Sequence, residues 1–105
     1  MQDETKQGPA ISPDHIQKLV NSCDVIAAQP EGTTSTFVHL YLPGGFYVAS
    51  GFSACVSPEN FDAELGISIA AKDALRNAES ELWKLEGYRL FCELQQNTRA
   101  EASPA

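Results

Sequence analysis

GFSACVSPENFDAELGISIAAKDALRNAESELWKLEGYRL, Gly51 to Leu90, is the stretch that decides the fold. It reads as the end of a strand, a turn, and then the longest helix of the chain. Gly51 to Val56 keeps the period of two expected of a strand. Gly51 weakens pairing in mid-strand, so it marks a bulge or a place where another group comes close. Ser57-Pro58-Glu59-Asn60 is a helix start, with a Ser cap, Pro at the first helical position and an acid beside the positive dipole end. Glu59, Asp62 and Glu64 favour the same place. Gly66 costs about 1 kcal/mol relative to Ala inside a helix, and so marks a bend or close packing on the strands. The helix is expected to reach about Leu85 and to end at Gly87, with Tyr88 to Gln96 as a last short helix.

Upstream, Ser12-Pro13-Asp14 gives the same start signal, and Ile16, Leu19, Val20 and Cys23 recur at helical spacing. A short amphipathic helix from Pro13 to about Ser22 follows. Asp24 to Ala28 fits either a helix end or a brief strand. Gln29 to Thr33 is a loop. Ser35 to Leu42 alternates, with Val38, Leu40 and Leu42 on one face and Phe37, His39 and Tyr41 on the other. Pro43-Gly44-Gly45 supplies a tight connection. Phe46 to Val56 returns, with Phe46, Val48, Phe52, Ala54 and Val56 expected in register. A two-stranded hairpin is not stable alone, so it must pack on the helices, and its open edge is a place for another chain. The expected fold is α+β: an antiparallel β-hairpin or small sheet against a long C-terminal helix, with a short N-terminal helix.

The chain has 105 residues, enough for one domain and not for two independent cores. Segments 1–11 and 97–105 are poor in hydrophobic residues and read as disordered tails around a single domain, 12–96. Fourteen acidic against seven basic side chains give a formal charge of −7. That argues against general nucleic-acid binding, which neutralises phosphates with Lys and Arg, and against docking on an anionic membrane. No long apolar run and no signal peptide are present, so a soluble cytosolic protein is expected. Cys23, Cys55 and Cys92 are odd in number and widely spaced. They read as reduced thiols rather than metal ligands, and no cofactor is expected. His15 and His39 stand in no spacing that defines a nucleophile–base pair, so an enzyme is not expected.

Projected as a wheel, the long helix carries two stripes. Ile67, Ala71, Ala74, Leu75, Ala78, Leu82 and Leu85 form one, whose alanines permit close approach to the sheet or to a partner helix. The second runs Phe61, Leu65, Ile69, then Lys72, Arg76 and Glu79, then Trp83. It is apolar at both ends and charged in the middle. Lys72 and Arg76, one turn apart, are a two-cation clamp for phosphate or carboxylate, flanked by residues able to hold a base. The plainer alternative is a solvated patch, with Arg76 near Glu79 and lying over Trp83. At the turn into the helix, Glu59, Asp62 and Glu64 would repel an anion, so ordinary capping is expected there.

The series Gly51-Phe52-Ser53-Ala54-Cys55-Val56, Pro58-Glu59-Asn60-Phe61-Asp62, Glu64-Leu65-Gly66, Ala70, Asp73-Ala74, Trp83, Leu85-Glu86-Gly87-Tyr88 and Leu90 closely resembles a family of small tailed-phage proteins of unknown function. Their pattern is strand, PENFD-type turn, long helix, then W-x-L-E-G-Y. This chain departs from it at Pro43-Gly44-Gly45, where many members have Asn-Gly, and in its alanine-rich helix. Members occur in accessory regions of phage and prophage genomes, which implies a host-directed role. The chain is also similar to the phage anti-Thoeris proteins, non-catalytic sponges that oligomerise and sequester cyclic nucleotide-derived immune signals. That likeness implies a homo-oligomer in the host bacterial cytoplasm with a ligand pocket at a subunit interface, which takes a base on aromatic and Asn contacts and phosphates on Arg or Lys. Their ligand residues do not align one by one with this chain. Lys72, Arg76, Phe52, Asn60 and Trp83 are therefore candidates from local chemistry. Two functions are expected to compete: sequestering a cyclic nucleotide-type small molecule, or an acidic protein–protein inhibitor or adaptor acting on a host protein.

Overall fold

Ser12 caps the first helix, its Oγ accepting from the His15 N–H at 3.1 Å, with Pro13 next in line. In the computed structural model, which describes residues 10–102, α1 spans Pro13–Asn21 and turns Ile16 and Val20 inward. The segment left open in the sequence is a strand: β1 is Asp24–Ala28, followed by β2, Ser35–Leu42, and β3, Phe46–Ala54. All are antiparallel, in the order β1-β2-β3. Between β2 and β3, Leu42 O accepts from Gly45 N at 2.9 Å and Gly44 has φ +97. A type II turn needs that positive φ after its proline. A single 3-10 turn, Pro58–Asn60, then leads to α2, Ala63–Ala102. The α+β outline expected from the sequence is the fold found.

Three details differ from expectation. The pairing register shifts between Leu40 and Tyr41, so that Leu40 faces Ala49 and Tyr41 faces Tyr47. Val48 is thus the extra residue of a bulge, and Val48 and Ala49 are both buried. The slip puts Phe52 on the face opposite Val48, where the sequence reading had them together, because one extra residue inverts alternation. The long helix does not start at Ser57. Ser57 makes no capping bond, and Asp62 Oδ1 accepts from Glu64 N and Leu65 N at 3.1 and 3.2 Å. Nor does Gly87 end it, since α2 continues through Gly87 and through 97–102. A lone glycine costs about 1 kcal/mol, too little to stop a helix whose flanks favour it. Of the expected tails, residues 1–9 and 103–105 lie outside the described residues, and Ile11 packs against the core.

The core lies between the sheet's inner face and the helices. It holds Ile16 and Val20 of α1, Val38 and Leu40 of β2, Val48 and Ala49 of β3, and Ala70, Ala74, Ala78 and Leu82 of α2. Each large aliphatic there contributes about 1.5–3 kcal/mol by leaving water. The alanine stripe therefore meets the sheet, not a partner helix. Leu75 and Leu85, expected on it, are exposed. Close approach explains two glycines. A Cβ on Gly51 would collide with the backbone of Ala70 and Ala74, and one on Gly66 would lie 2.7 Å from Thr36 Oγ1. Gln29 Nε2 donates both to buried Thr36 Oγ1 and to Ala63 O, at 3.0 Å each, tying the β1–β2 loop to the start of α2.

Candidate functional site

Where β3 hands over to α2, the 3-10 turn stands off from the sheet and leaves a cleft. Thr34 and Cys55 form its floor, Asn60, Phe61 and Asp62 its rim, and Leu65 and Ile69 its helical wall. Its volume is about 190 Å³, and its lining is mainly apolar. Small-molecule pockets usually start at roughly 300 Å³, so this cleft suits one ring system rather than a whole nucleotide. The Thr34 hydroxyl donates to Cys55 O, and Cys55 Sγ donates to Ser57 O at 3.2 Å, which fixes the floor. Asp62 points a carboxylate at the rim, but Oδ1 is taken by the two amides that it caps. The helix N-terminus is thus filled by its own chain, in line with the capping expected there.

Asn60, Phe61, Leu65 and Ile69 line this cleft, and Lys72 and Arg76 follow Ile69 on the same stripe of α2. Lys72 and Arg76 are both exposed, and neither lines a cavity described here. Arg76 does not lie over Trp83. Its Nη2 donates to Asp73 Oδ1 at 2.9 Å, with the Arg76 side chain 71 % exposed. Asp73 Oδ2 meanwhile accepts from the Phe52 N–H at 3.1 Å. One carboxylate thus brings Phe52 and Arg76 together at the β3 edge, a role the sequence reading missed. The i, i+3 spacing of Asp73 and Arg76 was the available signal. Trp83 is seven residues past Arg76, about 10 Å further along the axis, and belongs to neither group.

Among the described residues, no layer covers the sheet's outer face. Phe37 packs on Phe52 (centroids 5.0 Å apart) and stacks with His39 (6.2 Å), and Tyr41 meets Tyr47 edge-on at 5.7 Å. His39 Nδ1 and the Tyr47 hydroxyl both lie 2.7 Å from Ser50 Oγ. This Ser–His pair was not foreseen, because it arises from register: His39 and Ser50 face each other across the ladder. Among the described residues no carboxylate is bonded to His39. A wider groove, about 550 Å³, runs between β3 and α2 past Tyr47, Ser50, Asn77, Ser80 and Glu81, and carries no cation. Cys23, Cys55 and Cys92 are free and partly buried. Among the described residues no group of His, Cys, Asp and Glu is placed to hold a metal, and no helix is long and apolar enough to cross a membrane.

The model of the phage protein (N4 Gp49/phage Sf6 gene 66) family matches residues 11–94. The chain belongs to that family. The match takes in α1, the whole sheet, the cleft and α2 as far as Leu94, so every candidate residue lies inside the family domain. No curated protein and no solved structure matches the chain. Membership makes it a phage protein, as the PENFD turn and the W-x-L-E-G-Y run had implied.

Proposed function

We propose that this phage protein is a non-catalytic binder that captures a small nucleotide-derived signal of host immunity in the bacterial cytoplasm. The observation that supports this is the order of groups along one stripe of α2. An apolar cleft with Asn60 at its rim gives way, past Ile69, to the cations Lys72 and Arg76. A ring seated in the cleft would direct an attached phosphate toward those cations, the pairing of a dry pocket with a few charged groups that small ligands use. Thermal-shift and calorimetric titration with cyclic mono- and dinucleotides and cyclic ADP-ribose isomers tests it. Stabilisation is expected, lost in Lys72→Ala/Arg76→Ala and weakened in Asn60→Ala. No response to any of these compounds sinks the reading.

The outer face, where Phe37 packs on Phe52 and Tyr41 on Tyr47, supports a second reading. An aromatic patch on an acidic protein suits an inhibitor or adaptor for a host protein with a basic rim. Co-purification from host lysate of one stoichiometric protein, lost in Tyr47→Glu, would favour it.

A further inference from the structure

After Leu82, α2 runs on past the core, still tied to α1 where Glu86 meets His15. No residue from Trp83 to Asn97 is buried, although the helix continues to Ala102. The molecule is correspondingly long, 70 × 34 × 20 Å, with a Cα radius of gyration of 19.4 Å. A compact domain of this size would have a radius of about 13 Å. Along this arm, Leu85, Tyr88, Phe91 and Leu94 follow one another every third residue, 39, 66, 56 and 39 % exposed. Side chains three apart form a ridge that winds about 60° round the helix per step, so Tyr88 and Phe91 face a neighbouring helix while Leu85 and Leu94 flank them on either side. A recess bounded by Phe91, Cys92, Gln95 and Gln96 lies beside the ridge. The apolar ridge on this arm, left bare among the described residues, is what calls for a partner.

Charge says which partner. In sequence, Lys84, Arg89 and Arg99 balance Glu86, Glu93 and Glu101, so residues 84–105 are neutral and the whole −7 belongs to residues 1–83. Glu86, Arg89 and Glu93 are also tied to one another, with Glu86 bound to His15 on the α1 side. The body of one copy repels that of another, and the arm does not. We infer that the arms of two copies pair antiparallel, through the ridge from Leu85 to Leu94 centred between Tyr88 and Phe91. Antiparallel packing sets the two acidic bodies at opposite ends of the overlap. The ridge rises about 14 Å along the axis, beyond the roughly 8 Å screening length of physiological salt. Parallel packing would place the bodies side by side. The pairing is independent of the ligand reading, since it uses none of the cleft residues.

Sedimentation equilibrium and light scattering of the full chain at 5–100 μM test it. A dimer is expected, reduced to monomer in both Tyr88→Ala/Phe91→Ala and Tyr88→Glu/Phe91→Glu. Circular dichroism should report a folded protein in both variants, because both side chains are more than half exposed; the alanine pair guards against misfolding by the charged one. For orientation, Lys84→Cys and Gln95→Cys copies, each carrying Cys92→Ser, are mixed and oxidised. A disulfide between the two kinds of copy is expected, because the two positions are equidistant from the centre. A monomeric wild type, an oligomer unchanged in the folded variants, or cross-linking of Gln95→Cys to itself would each overturn the inference.

Discussion

Gly51 lies against Ala74 with no room for a side chain between them. A Cβ on Gly51 would stand 2.9 Å from the Ala74 Cα and closer still to the amide nitrogen of Ala74 and the carbonyl of Ala70. All the obstructing atoms are helix backbone, which cannot turn aside as a flexible side chain can. Gly51→Ala should therefore lift α2 off the sheet and cost about 3 kcal/mol or more, in the range reserved for core overpacking. Urea unfolding followed by circular dichroism measures it. A loss under 1 kcal/mol would mean that the helix sits further from the sheet.

Gly87 gives the opposite result. It is inside α2, and nothing lies within 4 Å of where its Cβ would be. Gly87→Ala should stabilise the chain by roughly 0.5–1 kcal/mol through lower unfolded-state entropy and better helix propensity. An upward shift in Tm of a few degrees is expected.

Asp62, not Ser57, caps α2. Asp62→Ala should cost about 1 kcal/mol, the usual value of a lost N-cap. Ser57→Ala should cost much less, since its hydroxyl bonds only Glu59 Oε1 (2.8 Å) on the surface. Parallel urea titrations of the two variants separate these alternatives.

The Glu86 carboxyl is held below its ordinary value of 4.5, first by hydrogen bonds from Arg89; burial opposes this, and the bond from His15 and the charges of Arg89 and His15 lower it further. A depressed carboxylate contributes stability that is complete above its unfolded pKa and fades as pH falls through the folded value. Glu86→Gln should therefore be less stable than wild type at pH 7, and the two should converge below pH 4.5. Melting curves at pH 7, 5 and 3.5 check the sign, which a purely steric effect of the substitution would not reproduce.

How far the chain could be read in advance varies with the range of the forces involved. The Ser12-Pro13-Asp14 start, the hairpin turn and the alternation of β2 are local, and they led to the right elements, whereas Ser57-Pro58-Glu59 opens only a 3-10 turn ahead of the Asp62 cap. Gly51 and Gly66 were legible as close approaches because a missing Cβ is itself a signal. The bulge at Val48 was not, since alternation inverts without any mark when the inserted residue is as apolar as its neighbours. Asp24–Ala28 became a strand only because β2 offers it an edge, a tertiary cause. The stripe of Phe61, Leu65, Ile69, Lys72 and Arg76 was visible by period alone. That its apolar end lines a cleft, and that Asp73 engages Arg76, depended on the path of the 3-10 turn.

The sheet's two borders are not equivalent. On the β3 side, Asn77 Nδ2 donates to Ser50 O at 2.9 Å and the Phe52 N–H donates to Asp73 Oδ2 at 3.1 Å. Two helix residues one turn apart thus do for β3 what another strand's backbone would do. On the β1 side, among the described residues, no side chain bonds the outward amides and carbonyls of Asp24–Ala28, and Val25 and Ile26 are exposed. The sheet consequently has one direction of growth. Any strand that joins it enters beside β1, away from the β3 edge and the Asp73–Arg76 pair, so lengthening the ladder leaves that end of the molecule unobstructed.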